Sequence, residues 1–99
     1  MIRDIIISKT AEKNLDKIFE YLEGRWSLNV KHNFVEKLDT ALELLKRDPN
    51  MFPESLSNQG LHKCVITKHN FIFYRFNSRW VKIITIFDTR QNPKKTEQI

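Results

Sequence analysis

Arg3-Asp4-Ile5-Ile6-Ile7-Ser8-Lys9-Thr10-Ala11 is the stretch on which the fold turns. Its first half packs β-branched residues into a short run, which predicts a strand over residues 3–8, buried on at least one face. Its second half offers Ser8 or Thr10 as a helix cap, and the hydrophobic period then changes. Ala11, Leu15, Ile18, Phe19, Leu22 and Trp26 recur at spacings of three and four and share one stripe. Lys13, Asp16, Lys17, Glu20 and Glu23 lie mostly away from it, so an amphipathic helix follows the strand with its stripe, Trp26 included, in the core.

Gly24 loosens the end of that helix, and Ser27 is placed to cap a second one with the stripe Val30, Phe34, Leu38, Ala41, Leu42 and Leu45. The second helix should stop at Asp48, because Pro49 disfavours helical geometry in the residue before it. So short a link between two helices predicts an antiparallel helical hairpin over about residues 10–48. Residues 50–60 mix turn formers with Phe52 and Leu56 and read as a surface crossing anchored by those two side chains.

Beyond the crossing the pattern alternates, which predicts three strands within about residues 63–88: Lys63 to Lys68, Phe71 to Asn77 and Trp80 to Asp88. Asn77-Ser78 is a plausible tight turn, pairing the last two as an antiparallel hairpin. In the middle strand Ile72, Tyr74 and Phe76 point one way while Phe71, Phe73 and Arg75 point the other. One face meets the helical hairpin; the other carries apolar groups beside cations and is a candidate binding surface. Residues 92–99 are expected to fray unless a partner holds them. The fold class is therefore α+β: an N-terminal strand and a helical hairpin packed on a small antiparallel sheet, with residues 1–99 as a single domain.

Composition supports that reading. A chain of 99 residues with 40% hydrophobic residues and two glycines is an ordinary globular domain, able to bury about two thirds of its unfolded surface. Cys64 is alone and cannot form an intramolecular disulfide, and with His32, His62 and His69 it lacks the paired spacing of a zinc site. No metal and no cofactor are expected, and two glycines cannot build a phosphate-binding glycine loop. The N-terminus does not read as a secretory leader and no 18 apolar residues run together, so the expectation is a cytoplasmic protein without a membrane partner.

The net charge of +5 is unevenly placed. Residues 1–59 hold nine Lys/Arg against ten Asp/Glu, whereas residues 60–99 hold eight Lys/Arg against Asp88 and Glu97. Such asymmetry points to a phosphate-rich ligand or an acidic protein partner, with a solvated basic face as the plain alternative.

The local sequences resemble the RelE/ParE toxins of type II toxin-antitoxin systems. Ile6-Ile7-Ser8-Lys9-Thr10-Ala11 followed by Leu15 and Ile18 is similar to the family's opening, and Tyr21-Leu22 and Trp26-Ser27 follow in the expected places. Pro49, Phe52 and Pro53 resemble its crossing, Leu61-His62-Lys63 its entry to the sheet, and residues 68–75 its central strand. Residues 83–93 resemble its closing strand and exit. The resemblance spans residues 3–93 and implies a growth-inhibiting toxin, often a plasmid-stabilisation factor, neutralised by a cognate antitoxin. The basic C-terminal part predicts that the antitoxin segment is acidic and partly disordered, with apolar anchors against Phe71 and Phe73.

Two activities occur on this scaffold. RelE-like members cut messenger RNA on the ribosome without a metal, which requires a base, an acid and cations around the phosphate. Lys63 and Arg90 match cationic positions of such toxins and would be the catalytic candidates; Lys68, His69 and Arg75 could supplement them in binding the target or its phosphates. Nuclease members usually carry an Arg at the start of the central strand, where this chain has Asn70-Phe71, and a Tyr or His-Tyr near the C-terminus, whereas nothing after Arg90 is a Tyr or His. These departures favour a ParE-like reading, binding and poisoning DNA gyrase with no catalytic constellation. The alternatives are the ribosome-dependent endonuclease and an inactive toxin-like binding module. Asp88 and Arg90 lie on one face of a strand end and could pair, either for function or to close the sheet. Lys63 and Lys68 could equally be lysines that protect a sheet edge.

Overall fold

Ser8 sits where the period changes. In the computed structural model, which describes residues 2–90, β1 (Asp4–Ile7) ends just before it and α1 (Lys9–Arg25) begins just after. The Ser8 hydroxyl oxygen accepts from the Ala11 N–H at 3.0 Å, which satisfies one free donor of the first helical turn. The same hydroxyl donates to the Ile84 carbonyl at 2.7 Å, so one side chain caps the helix and ties the strand exit to the sheet. Ser8, not Thr10, is the cap.

Trp26 and Ser27 separate α1 from α2 (Leu28–Arg47), and Ser27 caps α2 by accepting from the Val30 N–H at 3.2 Å. The Asp48 N–H closes α2 on the Leu44 carbonyl, and Pro49 starts a 3-10 turn over Pro49–Met51. The chain then forms β2 (Glu54–Ser55), β3 (Asn58–Val65), β4 (Asn70–Phe76) and β5 (Trp80–Asp88). The five strands lie in the order β1-β5-β4-β3-β2. All neighbours are antiparallel except β1, which runs parallel to β5 with Ile5 opposite Val81.

Several expectations are corrected. The crossing over residues 50–60 is not irregular throughout: it contains β2, and β3 starts at Asn58 rather than Lys63. Leu56 anchors nothing and is fully exposed at the tip between them. The expected strand to Lys68 ends at Val65, because Thr67 turns the chain with its own side chain. β1 is an edge strand: Ile5 packs on the core, but Ile6 and Ile7 are exposed. Trp26 is 55% exposed, because α1 ends at Arg25 and the Trp26 backbone has left helical geometry. The hairpin link between β4 and β5 lies at Ser78 and Arg79, one residue later than expected, with the Asn77 N–H donating to the Trp80 carbonyl. Residues 92–99, expected to fray, lie outside the described residues.

The sheet buries residues on both faces. Toward the helices, Ile72, Tyr74, Val81, Ile83 and Ile86 pack on Ile18, Leu22, Phe34, Leu38 and Leu45. Each such fully buried aliphatic side chain contributes about 1.5–3 kcal/mol of transfer free energy. On the outward face Leu61, Phe71 and Phe73 form a second cluster with Ile84 and Phe87 around it. A bulge in β5 reconciles the two: Phe73 faces Thr85 and Tyr74 faces Ile83, leaving Ile84 as the extra residue. The helix side supports this irregular strand, with the Asn14 side-chain oxygen accepting from the Ile86 N–H at 3.1 Å.

The crossing is held from beneath. The buried Tyr74 hydroxyl donates to the Pro49 carbonyl at 2.6 Å, and the His62 Nδ1 lies 2.7 Å from the Phe52 carbonyl oxygen. The His62 ring stacks on Tyr74 with centroids 5.4 Å apart.

Candidate functional site

The residues that carry charge chemistry gather at the corner where α2, the β3–β4 turn and the end of β5 meet. The turn is built by Thr67. Its hydroxyl oxygen accepts from the His69 and Asn70 N–H groups at 3.0 and 3.1 Å and donates to the Asn70 side-chain oxygen at 2.7 Å. The Thr89 N–H donates to the His69 carbonyl at 2.9 Å, so the turn is fastened to the chain leaving β5.

Asn70 passes this order on to Asp88, donating from Nδ2 to Oδ2 at 3.0 Å. Asp88 also receives the Arg90 N–H at 2.8 Å, Arg90 Nε at 3.1 Å and Arg90 Nη2 at 2.8 Å. Burial pushes the Asp88 carboxyl up, but the Arg90 side chain, Asn70, the Arg90 N–H and the Arg90 charge outweigh it and hold the group below the ordinary carboxylate value. The Arg90 guanidinium is strengthened as a base chiefly by its hydrogen bonds to Asp88, so the pair stays ionised. The guanidinium also lies 5.6 Å from the Tyr21 ring centroid and 5.4 Å from that of Trp26. Trp26 is therefore one wall of an arginine clamp at the apex of the helical hairpin, not a core residue.

In front of this network a recess of about 360 Å³ opens between α2 and the turn, lined by Val30, Asn33, Phe34, Lys37, Thr67, Lys68, His69, Asn70 and Arg90. Among the described residues no Asp or Glu lines it. Lys37 and Lys68 are exposed and have no ion-pair partner among the described residues.

Lys68, His69 and Arg90, three of the five expected cationic positions, share this corner. The other two do not. Lys63 pairs across β3–β4 with Phe73, on the outward face, and its ammonium lies 4.3 Å above the Phe71 ring. Arg75 is at the far end of β4, where its guanidinium donates to the Gln59 carbonyl and the Asn58 side chain, both at 3.0 Å. Gly60 makes room for it with a φ of +80°, and a Cβ there would stand 2.8 Å from Arg75 Nη1. Lys63 does not stand on an open edge: its N–H donates to the Pro53 carbonyl at 3.1 Å, and Lys68 lies in the turn beyond the end of β3.

Phe71 and Phe73 are 8% and 4% exposed and pack edge-on with centroids 5.5 Å apart, so little of either ring is open to solvent. Sequence reasoning missed Asn33, Lys37 and the structural role of Asn70. Lys37 belongs to a helix face that only tertiary packing sets against the turn. The signal for Asn70 was present as Thr67-x-x-Asn70 ahead of Asp88. Among the described residues no group of three or more His, Cys, Asp or Glu could hold a metal ion, and no helix is long and apolar enough to cross a membrane.

Comparison with known proteins puts this geometry in context. The family model described as the ParE toxin of the type II toxin-antitoxin system parDE matches residues 5–93. Toxin ParE1 of Caulobacter vibrioides is 28% identical over 89 residues, covering 89% of this chain and 91% of its own. Among solved structures, the chromosomal ParDE toxin-antitoxin system of P. aeruginosa aligns with a TM-score of 0.73 at 12% identity, over 88% of this chain and 96% of that one. The toxin-antitoxin complex RelBE2 of Mycobacterium tuberculosis aligns at 0.61 with 17% identity, over 89% and 99% of the two chains. The structural likenesses show a shared fold, with two helices on a mostly antiparallel five-stranded sheet. The family match covers most of the chain, and the protein therefore belongs to the ParE toxin family of type II toxin-antitoxin systems.

Proposed function

We propose that the protein arrests growth by binding and poisoning DNA gyrase, without cutting RNA, and that an acidic antitoxin segment neutralises it in the cytoplasm, as plasmid-stabilisation pairs require. The observation that carries the binding reading is that the two ribonuclease candidates stand apart and are already engaged. Arg90 gives Nε and Nη2 to Asp88, and Lys63 sits over Phe71 on the outward face. Phosphodiester cleavage needs a base, an acid and a phosphate clamp converging within hydrogen-bond reach of one group. A binding poison needs only a surface.

The antitoxin reading rests on the outward face. Lys63, Arg75 and Lys82 occupy outward register positions beside Leu61, Phe71, Phe73, Ile84 and Phe87, and no acidic residue stands at the outward positions of β3, β4 or β5. An acidic segment with apolar anchors is complementary to that arrangement. Because the rings are mostly buried by one another, such anchors would meet their edges and the half-buried Ile84 and Phe87.

The test is induction of the chain in a host without its antitoxin, reading growth, message integrity on ribosomes and the DNA-damage response together. Arrest with a damage response and intact messages is expected. Arrest with messages cut on ribosomes would overturn the gyrase reading and make Lys63 and Arg90 the catalytic candidates. Normal growth with folded protein accumulating would overturn both activities in favour of an inactive toxin-like module.

A further inference from the structure

We infer that the recess between α2 and the β3–β4 turn is a binding site for a phosphate ester, the phosphate lying among Lys37, Lys68 and the open edge of Arg90. Its volume of about 360 Å³ lies at the small end of the ligand-pocket range of roughly 300–1,000 Å³, which suits a nucleotide-sized molecule. The lining mixes the three cations, Asn33 and His69 with an apolar wall of Val30 and Phe34, and includes no carboxylate among the described residues. Asp88 offsets the charge of Arg90, but Lys37 and Lys68 have no ion-pair partner among the described residues, and an entering anion relieves their repulsion.

The state of Arg90 limits what it offers an anion. Its Nε and one Nη2 hydrogen are spent on Asp88, so the side fork is taken, while Nη1 makes no hydrogen bond among the described residues and leaves the end of the guanidinium to face an anion. What remains is a set of point donors: two ammonium groups, one N–H edge and an amide. Donors arranged around a volume suit the tetrahedral oxygens of a phosphate. Asn70 and Thr67 hold the turn carrying Lys68 in place through the Asp88 network, so the donors on that wall are ordered before the ligand arrives. The apolar wall adds a surface for the body of the ester, such as a nucleobase or sugar. A free nucleotide and a nucleic-acid phosphodiester present the same chemistry to it.

The experiment is calorimetric titration of the purified full chain with adenosine 5′-monophosphate, with adenosine, and with a short single-stranded DNA. It is repeated on Lys37→Glu, Lys68→Glu and the control Lys13→Glu on the exposed face of α1, each first shown by circular dichroism to be folded. The expected result is binding of the monophosphate at least about tenfold tighter than adenosine, weakened by added salt, lost at least about tenfold in Lys37→Glu and Lys68→Glu, and unchanged in Lys13→Glu. Binding of the oligonucleotide alone with the same sensitivity to Lys37 and Lys68 supports the site and assigns it to nucleic-acid backbone. Failure of both phosphate probes to bind, or binding indifferent to Lys37→Glu and Lys68→Glu, overturns it. These readouts involve neither growth nor gyrase, so they stand or fall separately from the toxin reading.

Discussion

Asp88→Asn tests whether the carboxylate at the end of β5 organises the corner that carries the candidate site. The substitution keeps shape and removes the charge. Asp88 accepts from Asn70 Nδ2, Arg90 N, Arg90 Nε and Arg90 Nη2, and its side chain is 0% exposed against 18% for Arg90. An asparagine offers one accepting oxygen and turns an NH₂ group toward donors, so some of those hydrogen bonds become donor-to-donor contacts. Breaking a buried ion pair by removing one partner costs about 3–5 kcal/mol. Arg90 retains some water contact, which lowers the expectation to about 2–3 kcal/mol. For a domain of this size that is a drop of roughly 10–20 °C in melting temperature.

The pH dependence follows from the direction of the Asp88 shift. The folded carboxyl lies below its ordinary value of 3.8, so its stabilising contribution is fully present above that value and is lost as pH falls through the folded value. Thermal unfolding followed by far-ultraviolet circular dichroism should therefore show a wide gap between wild type and Asp88→Asn at about pH 7, closing as the pH falls through the lowered value of the folded carboxyl. Arg90→Gln and the double variant complete the cycle, and the coupling should be at least about 1 kcal/mol. A loss below about 0.5 kcal/mol at neutral pH, or a gap that does not change with pH, would refute the claim that this carboxylate holds the corner.

Three other perturbations probe the scaffold. Gly60→Ala introduces a Cβ at a φ of +80° and 2.8 Å from Arg75 Nη1, and should destabilise by about 1–2 kcal/mol in urea unfolding; an unchanged midpoint would contradict the turn geometry. Tyr74→Phe leaves the Pro49 carbonyl without its 2.6 Å donor and should cost about 1–3 kcal/mol, with earlier proteolysis in the crossing over residues 50–57 as a second readout. Cys64 is buried and its thiol is pushed up to about 11, so iodoacetamide should label the native chain at least about a hundredfold more slowly than the urea-unfolded chain; equal rates would mean the β3 core face is open.

What could be read in the sequence was local. The strand-to-helix boundary at Ser8, the α1 stripe as far as Leu22, the α2 stripe and the alternation in β4 follow from local spacing, and the structure keeps them. Trp26 misled because its spacing continues the α1 stripe while the cap at Ser27 ends the helix before that spacing can act. The β5 bulge was invisible, since an extra residue leaves no mark on a run of Ile83, Ile84, Thr85 and Ile86 and shows only in pairing. Of the candidate site, Lys68, His69 and Arg90 were legible as charge near strand ends. Lys37 was not, because a lysine on an exposed helix face becomes a site residue only when another element is packed opposite it. In the sequence Asn70 reads only as the absence of an arginine; its place between Thr67 and Asp88 explains why an amide stands there.

The central claim is tested most directly with purified components: DNA gyrase supercoiling relaxed plasmid in the presence of increasing amounts of this chain, with DNA cleavage read in the same reactions. The account predicts inhibition of supercoiling with accumulation of gyrase-linked broken DNA, both relieved by the cognate antitoxin. Undisturbed supercoiling, alongside cutting of messenger RNA on programmed ribosomes by the same preparation, would contradict it.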